Sequence, residues 1–308
     1  MLSHFLNIPY RLFVIFSFII PFSAAGALQT GALQGLQEFF LLAKQSVLGA
    51  VLKLGIAIGL VLAGFSVVGV IVSLVCAQGA AWLYGFFATR KTLELASQTP
   101  HQPIDARPLK LFFSVTLATT FLLAFLPNTD LLLAKHFLPP VLAGEYSGLV
   151  ILGNIIVYGI GAFTSVLLPM ASAAHAAGKG GERRILHLSL GVITTAVVIA
   201  WALFSLFPVI LVNLLFGSRY LAIAPVLGHY AIAEGCVALS IALINYFVAI
   251  RNTTFLYLVG FCIAMEAALI FFNHSSILAI ASMFMASSIL LLATMSLNYF
   301  FTLKLKKV

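Results

Sequence analysis

Charged side chains are scarce in this chain of 308 residues, of which only 8% are Asp, Glu, Lys or Arg. Soluble globular domains carry about 25% charged residues, so the composition excludes a soluble globular protein. In their place, 62% of the residues are hydrophobic, and the mean hydropathy is +1.15. The composition therefore predicts a protein that lies almost wholly within a membrane.

Several signatures of enzyme chemistry are also absent. The three cysteines, Cys76, Cys236 and Cys262, lie in apolar stretches with no CxxC pair and no histidine at metal-ligand spacing, so neither a disulfide framework nor a zinc site is indicated. The chain also lacks a Walker-type loop, an HExxH motif, a nucleophile elbow and a dinucleotide-binding fingerprint. We therefore expect no enzyme and no bound cofactor or metal. Any transport would draw on a proton or sodium gradient, or on consumption of the cargo on the far side.

Nine stretches are long and apolar enough to cross a bilayer. A spanning helix needs about 20 mostly apolar residues, and its backbone polar groups must be satisfied within the segment because lipid offers no partners. We therefore predict an all-α, polytopic transmembrane bundle without a separate soluble domain. The predicted spans are 11–29, 45–64, 67–89, 111–129, 146–170, 186–212, 222–249, 254–272 and 278–303.

The longest polar stretch runs from Arg90 to Lys110 and holds three prolines with charges of both signs. Such a composition is typical of a linker. The sequence therefore predicts three spans over residues 1–90, a cytoplasmic linker over 91–110 and six spans over 111–308.

The basic residues predict an orientation. With the C-terminus in the cytoplasm, twelve Lys and Arg lie on the inner side and three, Arg11, Lys135 and Arg219, on the outer side. Cytoplasmic loops are enriched in Lys and Arg, so nine spans then place the N-terminus of this chain outside. The net charge of +8 follows from the same bias, and we expect no nucleic-acid partner. Two alternatives stay open: a signal peptide cleaved near residues 25–27, which would invert every later loop, or an odd number of further spans upstream.

Short motifs in a fixed order resemble a known family. They are Gln29–Phe39, followed by a Gly-rich hairpin, then Asn128–Phe137, Ala143–Ser147, Ser165–Ser172 and Leu215–Tyr220. This order resembles the polysaccharide flippases, including the O-antigen and capsule flippases, of the multidrug, oligosaccharidyl-lipid and polysaccharide exporter superfamily.

The resemblance implies a fold and a function. Members have two lobes and twelve or more helices with cytoplasmic termini, and this chain resembles a twelve-helix member that lacks its first three helices. The implied cargo is a lipid-linked oligosaccharide, carried on undecaprenyl pyrophosphate across the bacterial inner membrane for lipopolysaccharide or capsule synthesis. Polysaccharide polymerase or ligase proteins would be its partners. The alternatives are an ion-coupled multidrug or cation antiporter of the same superfamily, and an inactive truncated remnant.

Ionisable side chains inside apolar spans are functional candidates, because one at the bilayer centre costs about 2.5–3.5 kcal/mol on insertion scales. Glu234 lies near the middle of the seventh span and Glu266 in the eighth. Each is expected either to bind a proton or cation, or to bond a neighbouring helix as a structural carboxyl. His229 is a candidate proton shuttle, and Tyr230 lies four residues before Glu234 on the same helical face.

Five further residues lie near span ends or inside a span. Asp130 with Asn128 resembles a recurring family position, although both could simply cap a helix end. Lys53 could attract a pyrophosphate head group, or it could reach the inner interface. Glu145 and Tyr146 begin the fifth span, where the helix dipole favours an acidic residue, so we expect no transport role for this pair.

Overall fold

The computed structural model describes residues 10–36, 38–97, 106–176 and 181–305. Of these residues, 92% are helical and none forms a strand. In chain order the helices are α1 Tyr10–Ser17, α2 Ile19–Gly35, α3 Phe39–Leu62, α4 Ser66–Ser97, α5 Ala106–Phe125, α6 Thr129–Phe137, α7 Pro140–Ala176, α8 Gly181–Leu206, α9 Pro208–Phe216, α10 Ala224–Ala249, α11 Thr254–Phe272 and α12 Ile277–Leu305, with a 3-10 helix, Ser218–Ile223, before α10.

The described helices confirm the predicted polytopic bundle. Eight of them are long and apolar enough to span a membrane, and a bent pair, Phe113–Phe125 with Thr129–Phe137, gives a ninth if it counts as one span. The backbone of each span is satisfied within its own helix, which is the arrangement that a lipid environment requires. The chain is therefore a multi-pass membrane protein.

The boundaries of the first two spans differ from the prediction. The first was expected to end at residue 29, but α2 continues to Gly35, and the second was expected to begin at residue 45, but α3 begins at Phe39. Gln29 and Gln45 lie at these two predicted span ends. Both side chains are instead buried within the helix packing and hydrogen-bonded to each other, so they do not end a helix.

The sequence predicted that the fourth span ends near residue 129, but the structure continues it beyond that residue. The helix breaks at Pro127, bends by 44° and resumes as α6. Proline has no N–H to donate, and the backbone N–H of Asn128 donates to Phe125 O at 2.9 Å rather than to Ala124 O, so the helical bonding pattern is interrupted here. Asn128 Nδ2 donates to Ala124 O at 2.9 Å, and Thr129 Oγ1 donates to Phe125 O at 2.9 Å. These side chains satisfy the carbonyls, which allows the break to sit inside an apolar span.

Two other prolines have different effects on the helices that contain them. Helix α7 runs over 37 residues, with Pro169 inside it rather than at its end. The predicted sixth span, 186–212, is instead divided, because α8 ends at Leu206 and Pro208 begins α9. At the first position of a helix the missing N–H of proline removes no hydrogen bond.

The chain divides into two compact units, Met1–Ile104 and Asp105–Val308. In the first unit, α2 and α3 both pack on α4. Helix α4 extends to Ser97, inside the stretch that the sequence assigned to a linker. That the two units are the lobes of a two-lobe exporter stays a prediction.

The second unit is built around α10. This helix packs against α7, α8 and α12, and 18 of its 26 residues are buried. A Cβ atom on Gly235 would touch Val197 of α8, and one on Gly228 would lie 2.8 Å from Ser205 Oγ. Small residues on α10 therefore let α8 approach closely. Because α10 packs against three other helices, its side chains reach the interior of the unit.

Candidate functional site

A buried carboxylate with two tyrosine donors lies inside the second unit. Asp130, in the first turn of α6, is 0% exposed. The hydroxyls of Tyr146 on α7 and Tyr230 on α10 both donate to its Oδ2 atom, at 2.7 Å each. The consecutive helices α6 and α7 and the distant helix α10 are therefore joined at one oxygen atom.

Two further carboxyl groups lie close to Asp130. Glu234 follows Tyr230 by one helical turn on α10 and is 0% exposed, and Glu266 on α11 is 2% exposed. Each of them interacts electrostatically with Asp130, and Glu266 also interacts with Glu234. We call Asp130, Glu234 and Glu266 the acidic cluster.

Hydrogen-bond donors near the acidic cluster are too few for its oxygen atoms. Among the described residues, Asp130 Oδ1, both carboxyl oxygens of Glu234 and Glu266 Oε1 are buried without a hydrogen-bond partner. Each tyrosine has one O–H group, and both of these are directed to Asp130. Buried polar groups normally have partners, so four unpartnered oxygens indicate a site that takes up something positive.

The three carboxyl groups interact with one another through their charge. The part of the chain that the structure describes contains no group of three or more His, Cys, Asp or Glu side chains placed to hold one metal ion. Ionised carboxylates in a low-dielectric interior repel one another strongly, and a proton on one of them relieves that repulsion. The arrangement can store and release protons.

Close packing fixes the tyrosines and Glu234 in place. A Cβ atom on Gly153 of α7 would touch the Tyr230 ring and would lie 2.9 Å from Glu234 Cγ. The rings of Tyr146 and Tyr230 meet edge to face, with centroids 6.1 Å apart, and Tyr230 also packs on Phe284 at 5.2 Å. Their hydroxyls are therefore held toward Asp130 by packing as well as by hydrogen bonds.

The remaining candidates lie elsewhere. Asn128 is half-buried and bonds the backbone of α5, which matches a role in the helix break. His229 is exposed on another face of α10, where it lines a cavity of about 400 Å³ with Trp201 and Pro225. Lys53 is exposed in the first unit and lines a pocket of about 380 Å³ there. Within the second unit the structure thus brings together Asp130 and the two glutamates but does not add His229 or Asn128 to them.

Sequence reasoning missed two groups that complete the site. Tyr146 was assigned no transport role, yet its hydroxyl is fully buried on Asp130. Gly153 was not singled out, although it is the position that admits Tyr230 and Glu234. A usable signal existed for Tyr146, because a tyrosine within an apolar span needs a partner for its hydroxyl.

One family model matches this chain. The model is described as "Polysaccharide biosynthesis protein", and it covers residues 1–225, which include Asp130 and Tyr146 and end at the start of α10. No curated protein and no solved structure matches the chain.

Proposed function

The chain belongs to the family of polysaccharide biosynthesis proteins, and from this premise we propose that it is a flippase that moves lipid-linked oligosaccharide across a membrane. Its cargo would be a repeat unit on undecaprenyl pyrophosphate, destined for lipopolysaccharide O-antigen or capsule. The bacterial inner membrane is the proposed location, with polymerase or ligase proteins receiving the cargo. Family membership, joined to eight or nine membrane spans, carries this proposal.

The acidic cluster supplies the proposed coupling. Within the described residues it is a set of buried carboxyl groups with more oxygen atoms than donors. Charged groups inside a membrane bundle face the interior or a water-filled cavity and mark proton or ion paths. Protonation would remove charge from the interior of the second unit and change which packing of its helices is favoured. A proton gradient would then drive alternating access.

Complementation tests the cargo. The full chain is expressed in a bacterium whose own O-antigen flippase is deleted and whose surface polysaccharide is measured, with membrane insertion checked in parallel. Restored surface polysaccharide is the expected result. A well-inserted chain that leaves the surface bare would overturn the flippase proposal.

Neutral variants test the coupling in the same cells. Asp130→Asn and Glu234→Gln keep the shape of each side chain but remove its ability to exchange a proton. We expect each to lower polysaccharide export roughly tenfold or more, the effect of losing about 1.4 kcal/mol of driving interaction. Glu145→Gln is the matched control, since Glu145 is half-buried outside the acidic cluster, and it should export normally. Normal export by Glu234→Gln would contradict the coupling role.

An ion-coupled drug or cation antiporter is the second candidate. The observation that favours it is the concentration of carboxyl groups in the second unit, because a cation exporter needs negative charge in its cavity. Deletion of the gene would then raise sensitivity to cationic drugs. Unchanged drug sensitivity would remove this candidate and leave the flippase proposal standing.

A further inference from the structure

A hydrogen bond between side chains links the start of α8 to the end of α12, within the second unit. His187 Nε2 lies 2.9 Å from the hydroxyl oxygen of Tyr299, and the two rings meet edge to face with centroids 6.0 Å apart. Among the described residues, α8 and α12 each pack on α10 far more than on each other. The pair is therefore a local link between two helices that are otherwise joined through a third. The charge distribution predicts that this end faces the cytoplasm, and we call it the inner end.

The link is only partly sheltered from water. Tyr299 is 6% exposed and packs edge to face on Tyr246 of α10, with ring centroids 5.6 Å apart, whereas His187 is exposed. Glu182 and Arg183, in the first turn of α8, both interact electrostatically with the two tyrosines. A hydrogen bond that water can reach contributes little net free energy, because water offers the same groups other partners. The link can therefore open at low cost.

The second half of α8 is held more firmly than its start. A Cβ atom on Gly235 of α10 would touch Val197, and one on Gly228 would lie 2.8 Å from Ser205 Oγ. Contacts between glycines and a facing helix bring two helices close together. Residues 197–205 of α8 are therefore fixed on α10, whereas its first turns depend on the link to Tyr299.

Between the link and the fixed half, α8 has a weak point. Gly191 has no side chain, and a Cβ atom there would have nothing within 4 Å. Its carbonyl oxygen also accepts a hydrogen bond from Thr195 Oγ1 at 2.9 Å. Glycine frees the backbone inside a helix, and a threonine hydroxyl bonded to the carbonyl four residues earlier favours a bend. A hinge at Gly191 would let residues 181–190 move while residues 197–205 stay in place.

We propose that residues 181–190 form a strap that swings about Gly191 and is held closed by the bond between His187 and Tyr299. The structure contains the closed strap. Opening breaks one hydrogen bond, separates the start of α8 from the end of α12 and uncovers the Tyr299 hydroxyl.

An open strap would lead toward the acidic cluster. Tyr299 ends a line of buried side chains on α12, and the other members of this line are Phe284, Leu291 and Met295. At the far end of the line, the Phe284 ring packs on Tyr230, which donates to Asp130. Opening would admit water to the inner end of this line. This gating role rests on the proposed function, whereas the movement of the strap does not.

Two pairs of spin labels, measured by double electron–electron resonance, test the strap. The full chain is placed in lipid nanodiscs with its native cysteines replaced. Labels at Leu188→Cys and Leu297→Cys, both exposed positions, report the distance between the strap and α12. Labels at Leu203→Cys and Ile289→Cys, also exposed, report the distance between the fixed half of α8 and α12. We expect a second, longer distance in the first pair only.

Removing the link should open the strap. Tyr299→Phe deletes the hydroxyl, and His187→Leu deletes the ring nitrogen at an exposed residue, which keeps the test available if Tyr299→Phe does not fold. We expect each change to raise the ratio of long to short distances roughly fivefold, the effect of about one lost hydrogen bond. The double variant should raise the ratio no further, because both changes remove the same bond. Gly191→Ala should lower the ratio, because alanine stiffens the helix and its Cβ meets no neighbour.

Tyr257→Phe is the matched control. Tyr257 on α11 is 81% exposed, so this variant should leave both label pairs as they are in the parent. An unchanged ratio in the folded Tyr299→Phe and His187→Leu variants would overturn the strap, and so would effects that add in the double variant. An equal shift in the second label pair would show that α8 moves as a whole, which would overturn the hinge.

The label distances do not depend on any cargo, so the two proposals fail separately. If complementation fails while the ratio responds to Tyr299→Phe, the flippase proposal is wrong and the strap stands. If complementation succeeds while the ratio does not respond in the folded variants, the strap is wrong and the flippase proposal stands.

Discussion

Two tyrosine hydroxyls donate to the same oxygen of Asp130, and the sequence could not show this arrangement. Tyr146 lies 16 residues from Asp130 and Tyr230 lies 100 residues away. Helical periodicity relates residues three or four apart, so it correctly placed Tyr230 and Glu234 on one face of α10. It carries no information about which face of α6 meets α10. The residues of the acidic cluster could be named from sequence, but their meeting could not.

The hydroxyl of Tyr146 should contribute measurably to stability. Tyr146→Phe removes one of the two donors to Asp130 Oδ2, and a hydrogen bond to a charged group is worth about 1.5–3 kcal/mol. We expect unfolding in detergent to require correspondingly less denaturant, and export to fall. Tyr158→Phe on the same helix is the control, because Tyr158 is 70% exposed, and it should behave as the parent. Equal stability of the two variants would show that the bond to Asp130 contributes little.

The lack of a side chain at Gly153 should matter for stability and export as much as the two tyrosines do. In Gly153→Ala the new Cβ atom would meet Tyr230 and Glu234, and overpacking of this kind costs about 1–3 kcal/mol. Reduced thermal stability and reduced export are the expected results. Gly159→Ala, also on α7, adds a Cβ with nothing within 4 Å and should change neither measurement. A parent-like Gly153→Ala would mean that α7 can move away without cost.

At the scale of whole helices, the sequence predicted where apolar segments lie better than where they break. Hydropathy found the fourth span but ended it at residue 129, whereas α6 resumes after Pro127 and runs to Phe137. The resumption depends on the Asn128 and Thr129 side chains, which bond backbone carbonyls of α5. Such local bonds are not visible in an average over an apolar window. The break matters because Asp130 lies directly after it.

Removing the proline should straighten this segment. Pro127→Ala restores an N–H group and allows a continuous helix through α5 and α6, which would take Asp130 away from its tyrosine donors. Spin labels at the exposed positions Leu117 and Lys135 should report a longer distance than in the parent, because the 44° bend is lost. Polysaccharide export should also fall in this variant, because Asp130 would lose its tyrosine donors.

The control for the bend is a second proline on the same stretch of chain. Pro140 is the first residue of α7, where its missing N–H removes no helical bond. Pro140→Ala should leave both the label distance and export unchanged. An unchanged distance in Pro127→Ala would show that packing against the neighbouring helices, rather than the proline, maintains the bend.

For the molecule as a whole, apolar composition gave the number of spans but not their arrangement. Lipid tails and the protein interior are both apolar, so hydropathy cannot tell a central helix from a peripheral one. Helix α10, with 18 of 26 residues buried, and α3, with Gln45 alone buried, were predicted simply as spans. The acidic cluster was likewise hidden, because it depends on which helices pack together.

The orientation in the membrane remains a prediction from charge alone, and α7 provides its sharpest test. The segment Pro140–Gly161 of α7 is long and apolar enough to span a membrane, so Lys135 before it and Arg184 after it should face opposite sides. The twelve-to-three distribution of basic residues places Lys135 outside. With the native cysteines replaced, a membrane-impermeant maleimide should label Lys135→Cys on intact cells and Arg184→Cys only after permeabilisation. The reversed labelling pattern would show that the predicted orientation of the whole chain is inverted. Labelling of both cysteines on intact cells would show that α7 does not cross the membrane.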